Sequence, residues 1–187
     1  MNTSHLVAVL YDGKKRKTGE PAVTHLYAVR DILSAHGIND QTILDAALLH
    51  DVLEDTSLSE DYLELRFGAK VISIIRILSK NAQFHTPFVK MKSTLDEIES
   101  VLRIHPEALV IKMADRLHNL RTLHGFDQEK QHEYLEETHT LLLPLFQRIV
   151  ESNHLGSLHE TSVALLKELA EELQLQEQKL SPALHDH

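Results

Sequence analysis

Residues 47–56 read ALLHDVLEDT, an apolar helical run into which His50, Asp51, Glu54 and Asp55 are set along one side. At about 100° per residue, Leu48, Leu49, Val52 and Leu53 occupy one half of the helix and the polar residues the other. A solvated amphipathic helix has the same appearance. Ile43, Leu44 and Ala47, however, fall in the angular sector of His50, Asp51 and Glu54, one to three turns earlier. A sector that starts apolar implies a helix covered on both sides, with its polar cluster facing an interior cleft. Carboxylates in such a cleft need partners or a metal ion to offset their desolvation.

The helical period continues along nearly the whole chain. Helices are expected over 3–11, 21–36, 40–55, 59–67, 69–79, 87–103, 106–124, 128–153 and 158–177, and no alternating run of β-branched residues competes with them. Pro21, Pro87 and Pro106 suit first helical turns, and Gly37 and Gly125 suit helix stops. The expected fold class is all-α, a single domain. The domain core is expected over 1–156, with a C-terminal helix and tail over 157–187 packed on it or extending it. The stretch LQEQKLSPALHDH, 175–187, reads as frayed or available to a partner. The chain of 187 residues and 21.3 kDa has the size of one domain with one sizeable core.

Composition removes several function classes. The chain has no Cys, which excludes disulfides, thiolate zinc sites and cysteine nucleophiles. Nineteen basic against 28 acidic residues leave a net charge of −9 and a pI near 5.8. That balance argues against nucleic acid or a membrane surface as partner. The opening MNTSHLVAVLYDGKKRK has its positive charge after a short apolar run, unlike a secretory signal, and no run is long enough to span a membrane, so a cytoplasmic protein is expected. Against this acidic background GKKRKTG, 13–19, is a local anomaly: a solvated turn, or a clamp for a polyanion at a cleft mouth.

A second helix behaves like the first. In PEALVIKMADRLHNLRTL, 106–123, Asp115, Asn119 and Thr122 share one stripe, which Ala108 and Ile111 carry upstream. His25 shares a stripe with Val29 and Ile32 and so points at the core. Any one of these residues alone is more often a structural hydrogen-bonding group. Together, His25, His50, Asp51 and Asp115 make two imidazoles and two carboxylates, a donor set suited to Mn²⁺, Fe²⁺ or Zn²⁺ with positions left for water and substrate. Glu54 and Asp55, one turn further, are placed to orient or deprotonate an attacking water. Without Cys or a serine triad, metal-activated water is the available nucleophile, and phosphoester hydrolysis is the chemistry that suits it.

RKTGEPAVTH (16–25), LLHDVLEDT (48–56) and KMADRLHNLRTL (112–123), in this order and spacing, resemble the hydrolase domain of RelA/SpoT homologues, an HD-domain helical bundle of the metal-dependent phosphohydrolases. The resemblance runs from about residue 3 to beyond 150 and includes FGAKV at 67–71 and EKQHEYLEETHTLLLPLFQRI at 129–149. It implies a stand-alone small alarmone hydrolase that removes the 3′-pyrophosphate of (p)ppGpp to give GDP or GTP. It further implies His25, His50, Asp51 and Asp115 as ligands of one Mn²⁺, and Glu54 and Asp55 as the catalytic acidic pair. Arg16 would pack against the nucleobase with Lys17 and Thr18 beside it, and Asn119 and Thr122 would lie near the ribose and its phosphate.

The chain also departs from that family. Leu26 stands where Pro is common, Leu78-Ser79-Lys80 replaces Val-Thr-Lys, and the loop NAQFHTPFVKMK, 81–92, is distinctive. The open readings are therefore an HD phosphohydrolase for the adenosine alarmone (p)ppApp or for NADPH, and a non-catalytic HD-like module that binds protein. Lys80, Lys112 and Arg116 are candidate phosphate contacts, with solvated surface charge the commoner role for each. The leucines of HETSVALLKELAEELQLQEQ, 159–178, can pack on their own domain or form a homo-oligomer.

Overall fold

The computed structural model describes residues 2–79, 87–152 and 154–180. Eleven α-helices follow one another among these residues: α1 (Thr3–Leu10), α2 (Val23–Ala35), α3 (Gln41–Leu49), α4 (Val52–Asp55), α5 (Glu60–Phe67), α6 (Ala69–Leu78), α7 (Pro87–Val101), α8 (Glu107–Arg121), α9 (Gln128–Glu137), α10 (Leu143–Glu151) and α11 (His159–Leu180). Among the described residues the only extended pairing is one isolated bridge, Lys15 with Pro21. The all-α single-domain expectation is met.

Helix α8 is the axis of the molecule. Every residue from Glu107 to Leu117 is buried, so the helix has no solvent face over three turns. Helices α2, α3, α6 and α11 pack around it. The stripe Leu165, Leu169 and Leu173 of α11 is buried within the chain, and α11 lies along α8. Residues 175–180, expected to fray, continue that helix to Leu180, and 181–187 lie outside the described residues.

Local chemistry sets the helix ends. Asn2, Asp40, Ser59 and Asp127 each accept a hydrogen bond from a first-turn N–H of α1, α3, α5 and α9. Helix α2 stops in a Schellman turn: Ile38 N–H donates to Leu33 O, Gly37 N–H donates to Ser34 O, and Gly37 takes φ +84°. Pro21 was expected in a first turn, yet α2 begins at Val23 and Pro21 instead pairs with Lys15.

Two expected single helices are each divided. The run 40–55 breaks between Leu49 and Val52, where His50 and Asp51 sit. The run 128–153 is interrupted by a π-helical turn over Thr138–Leu142. Pro144 follows it, with no N–H to give to the carbonyl four residues back. Residues 80–86, which include Lys80 and the first half of the distinctive loop, lie outside the described residues.

Gly125 closes a 3₁₀ turn after α8, and its role is close approach instead of a left-handed stop. A Cβ at that position would meet Thr18 Cγ2 at 2.1 Å and Thr18 Cβ at 3.0 Å. The RKTG loop is therefore seated directly on the end of α8. Gly125→Ala should cost about 1–3 kcal/mol through overpacking, read as a lowered urea midpoint with an unchanged slope. An unchanged midpoint would show that the loop does not press on the helix end.

Candidate metal centre

His50 and Asp51 lie in the α3–α4 break. His50 keeps helical dihedrals (φ −59°, ψ −30°), while Asp51 moves to φ −99°, ψ −2°. Consecutive residues of an unbroken helix point about 100° apart. Here His50 Nε2 and Asp51 Oδ2 converge to 3.3 Å. From α2, His25 Nε2 stands 3.2 Å from His50 Nε2 and 3.7 Å from Asp51 Oδ2. From α8, Asp115 Oδ1 stands 3.2 Å from His25 Nε2 and 3.9 Å from His50 Nε2.

These separations suit a shared cation. Donor atoms about 2.1 Å from one ion stand roughly 3.0–3.4 Å from each other. The ligand atoms of His25, His50 and Asp51 all lie within 4.8 Å of one another and can hold a metal ion. Both imidazoles are buried. His50 Nδ1 is 2.7 Å from Ala47 O. A carbonyl only accepts, so Nδ1 carries the proton, and a neutral His50 turns its Nε2 lone pair into the cluster.

The electrostatics show what the centre does without a cation. Burial opposes charge on His50, but the Asp51 carboxylate, and then Asp115, outweigh it and raise the imidazole to about 9. Burial likewise opposes ionisation of Asp51, yet His50 holds that carboxyl below the usual range. Asp115 is held well below it against the same burial, first by Lys112 and then by His25 and His50. His50 thus keeps a proton where a metal ion would need a lone pair, and proton and cation compete for one atom.

Buried charge surrounds the cluster. Lys112 Nζ donates to Asp115 Oδ2 at 2.9 Å, and Asn119 Nδ2 donates to Asp115 Oδ1 at 2.6 Å. Arg116 is 1% exposed, donates to Glu137 Oε2 at 2.7 Å and lies 4.3 Å above the Tyr134 ring. The reading of Lys112 and Arg116 as solvated surface charges is thereby overturned, because α8 has no surface at that point.

A cavity of about 800 Å³ opens over the cluster, within the range of about 300–1,000 Å³ common for small-molecule sites. Glu54 and Asp55 are exposed residues that line it. Tyr11, also lining it, donates from its hydroxyl to Asp55 Oδ2 at 3.0 Å. Arg16 lines the cavity and donates to Asn119 Oδ1 at 2.9 Å and to His118 Nδ1 at 3.0 Å. Three expected substrate contacts stand behind this front. Lys17 lies 5.4 Å from the Phe126 ring, Thr18 packs against Gly125, and the Thr122 hydroxyl donates to His118 O at 3.0 Å. None of those three lines the cavity.

Two residues of the site escaped sequence reasoning. Tyr11 reads as an ordinary apolar end of the first helix. His118 had a usable signal, since it lies three residues after Asp115 on the same helical stripe. Its Nδ1 is 2.8 Å from His25 Nδ1, and burial, with His25 and Arg16 close by, lowers its pKa to about 4.

A family model described as HD domain matches residues 4–149. The GTP pyrophosphokinase of Streptomyces coelicolor is 34% identical over 154 residues, which is 82% of this chain and 18% of that protein. The guanosine-3′,5′-bis(diphosphate) 3′-pyrophosphohydrolase of Haemophilus influenzae is 33% identical over 141 residues, 74% of this chain and 21% of that protein. The chain spans about a fifth of the length of these curated relatives. A solved structure of a metazoan ortholog of SpoT that hydrolyzes ppGpp aligns with a TM-score of 0.72 and 28% identity, over 93% of both chains.

In chelator-treated protein His50 should titrate near 9, and its neutral form should carry the proton on Nδ1, as read by ¹⁵N NMR of the imidazoles. A pKa raised from 6.5 means that the folded chain binds this proton more tightly than the unfolded one. The stability it contributes is full below 6.5 and disappears as pH climbs through about 9. A His50 titrating near 6.5 would contradict the geometry.

Proposed function

The chain belongs to the HD domain family, and from that premise we propose that it is a divalent-metal-dependent hydrolase that removes the 3′-pyrophosphate of (p)ppGpp. The observation that carries this reading is the convergence of His25, His50, Asp51 and Asp115, from three separate parts of the chain, beneath a nucleotide-sized cavity. The pyrophosphohydrolase relative and the ppGpp-hydrolyzing structural neighbour support it. Support is strongest from that neighbour, which is matched over nearly its whole length.

His25, His50, Asp51 and Asp115 would hold one cation, and a mixed imidazole and carboxylate set of this kind suits Mn²⁺. Such a cation, when bound, supplies a Lewis acid that acidifies water and offsets phosphate charge. Glu54 takes the proton of the attacking water. Asp55, gripped by the Tyr11 hydroxyl, orients that water. The new P–O bond forms as the bond between ribose O3′ and phosphorus breaks, O3′ takes up a proton as Glu54 returns its own to solvent, and pyrophosphate leaves with GDP or GTP as the other product. Arg16 and Asn119, at the cavity front, contact the nucleoside. Lys17, Thr18 and Thr122 brace those two from behind.

Purified protein incubated with Mn²⁺ and, separately, ppGpp, the adenosine alarmone and NADPH should release GDP and pyrophosphate from ppGpp only while metal is present, followed by chromatography with a chelator control. Asp51→Ala should abolish turnover and keep the helical circular dichroism. Glu54→Gln should keep Mn²⁺ binding and lose about 10²–10⁴-fold in rate, the range for removing a general base. Metal-dependent turnover surviving in Asp51→Ala would sink the assignment, and a wild-type rate in Glu54→Gln would remove its role.

A further inference from the structure

Two donors converge on one nitrogen beside the cluster. Arg16 NH1 lies 3.0 Å from His118 Nδ1, and His25 Nδ1 lies 2.8 Å from the same atom. A guanidinium only donates, so His118 Nδ1 accepts and the His118 proton sits on Nε2. His25 Nδ1, facing an acceptor, must itself carry a proton. The lone pair of neutral His25 is then on Nε2, the atom that stands 3.2 Å from His50 Nε2 and 3.2 Å from Asp115 Oδ1.

The same guanidinium has a second arm. Its NH2 donates to Asn119 Oδ1 at 2.9 Å, and Asn119 Nδ2 donates to Asp115 Oδ1 at 2.6 Å. Arg16, on the loop that closes over α8, therefore reaches the cluster twice: through His118 to His25, and through Asn119 to Asp115.

We propose that His118 is a positioning residue whose Nδ1 fixes the tautomer and ring orientation of His25 as a metal ligand and ties that ligand to Arg16. Loop position and cation affinity are then coupled, and by linkage a nucleotide that draws Arg16 away alters metal binding, just as metal alters nucleotide binding. The inference rests on the reading of His25 as a ligand and is independent of which nucleotide is hydrolysed.

The test needs no substrate. In chelated wild-type protein, ¹⁵N NMR should find that the neutral form of His25 carries its proton on Nδ1. Mn²⁺ titrations without nucleotide should show His118→Leu weakening affinity by about 10–100-fold, the usual cost of losing a group that orients a ligand. His118→Asn, whose Oδ1 can take the place of the imidazole acceptor, should restore affinity to within about threefold of wild type. Arg16→Ala should weaken Mn²⁺ binding alone and, in the His118→Leu background, add less than it does in wild type, because only the route through Asn119 remains. Equal Mn²⁺ affinity in wild type and His118→Leu overturns the proposal. So does a wild-type His25 unprotonated on Nδ1, which decides the matter even if the leucine variant does not fold. Wild-type protein that binds no Mn²⁺ would instead refute the metal reading itself, and wild-type protein that binds Mn²⁺ without hydrolysing ppGpp would refute only the substrate.

Discussion

Asp115 is a carboxylate on a helix with no solvent face, and its neighbourhood is organised by the need to balance that charge. Lys112 answers it from the preceding turn and Asn119 from the following one. His25 comes to it from α2 and His50 from the α3–α4 break. The next residue, buried Arg116, imposes the same requirement and is met by Glu137 and Thr138. Stripping a buried charge of its partner is among the more destabilising single changes available, about 3–5 kcal/mol. The elements around α8 are thus held in place by polar demands as well as by apolar packing, and core and site are one construction.

The α3–α4 break expresses the same economy of space. An unbroken helix there would point His50 and Asp51 about 100° apart on that side, too divergent for their ligand atoms to meet at one point. By giving up regular geometry at Asp51, the chain brings both to the centre and then resumes as α4, which carries Glu54 and Asp55 to the cavity wall. The Tyr11 hydroxyl fixes one member of that pair from the end of α1. Tyr11 at the end of α1, His25 of α2, the α3–α4 break and α4 thus line one cavity, together with residues of α6, α7, α8 and α9.

Much of this was legible in the linear chain. The apolar sectors that turn polar at His50 and Asp115 announced both the burial and the convergence, because helical spacing alone says which residues share a side. The His25 stripe did the same. Gly37 behaved as its type predicts, since its turn is local. Gly125 did not, because its reason lies in Thr18, more than a hundred positions away and invisible to any local rule. Lys112 and Arg116 were misjudged on composition: charged residues are seldom buried unless paired, and the partners of Arg116 come from another helix. The α3–α4 break was missed because it is set by tertiary needs while propensity favours continuity on either side; the break in 128–153 had a local signal in Pro144, which the helical period overrode.

The π-helical turn at Thr138–Leu142 has a further consequence. It inserts extra length between α9, which faces the cavity, and α10, whose Leu145, Phe146, Ile149 and Val150 enter the core. It works as a phase shifter: two helical faces that would be out of step share one rod. Loss of a single residue there would narrow the turn and leave the two faces in step, but it would set the Pro144 ring against the carbonyl four residues back. Rewinding the same residues as α-helix with none removed would instead turn α9 by about 100° relative to α10, carrying Glu137 and Tyr134 away from the guanidinium of Arg116. The wide turn at this one point, as much as any side chain, keeps the cavity face of α9 in register with the core face of α10.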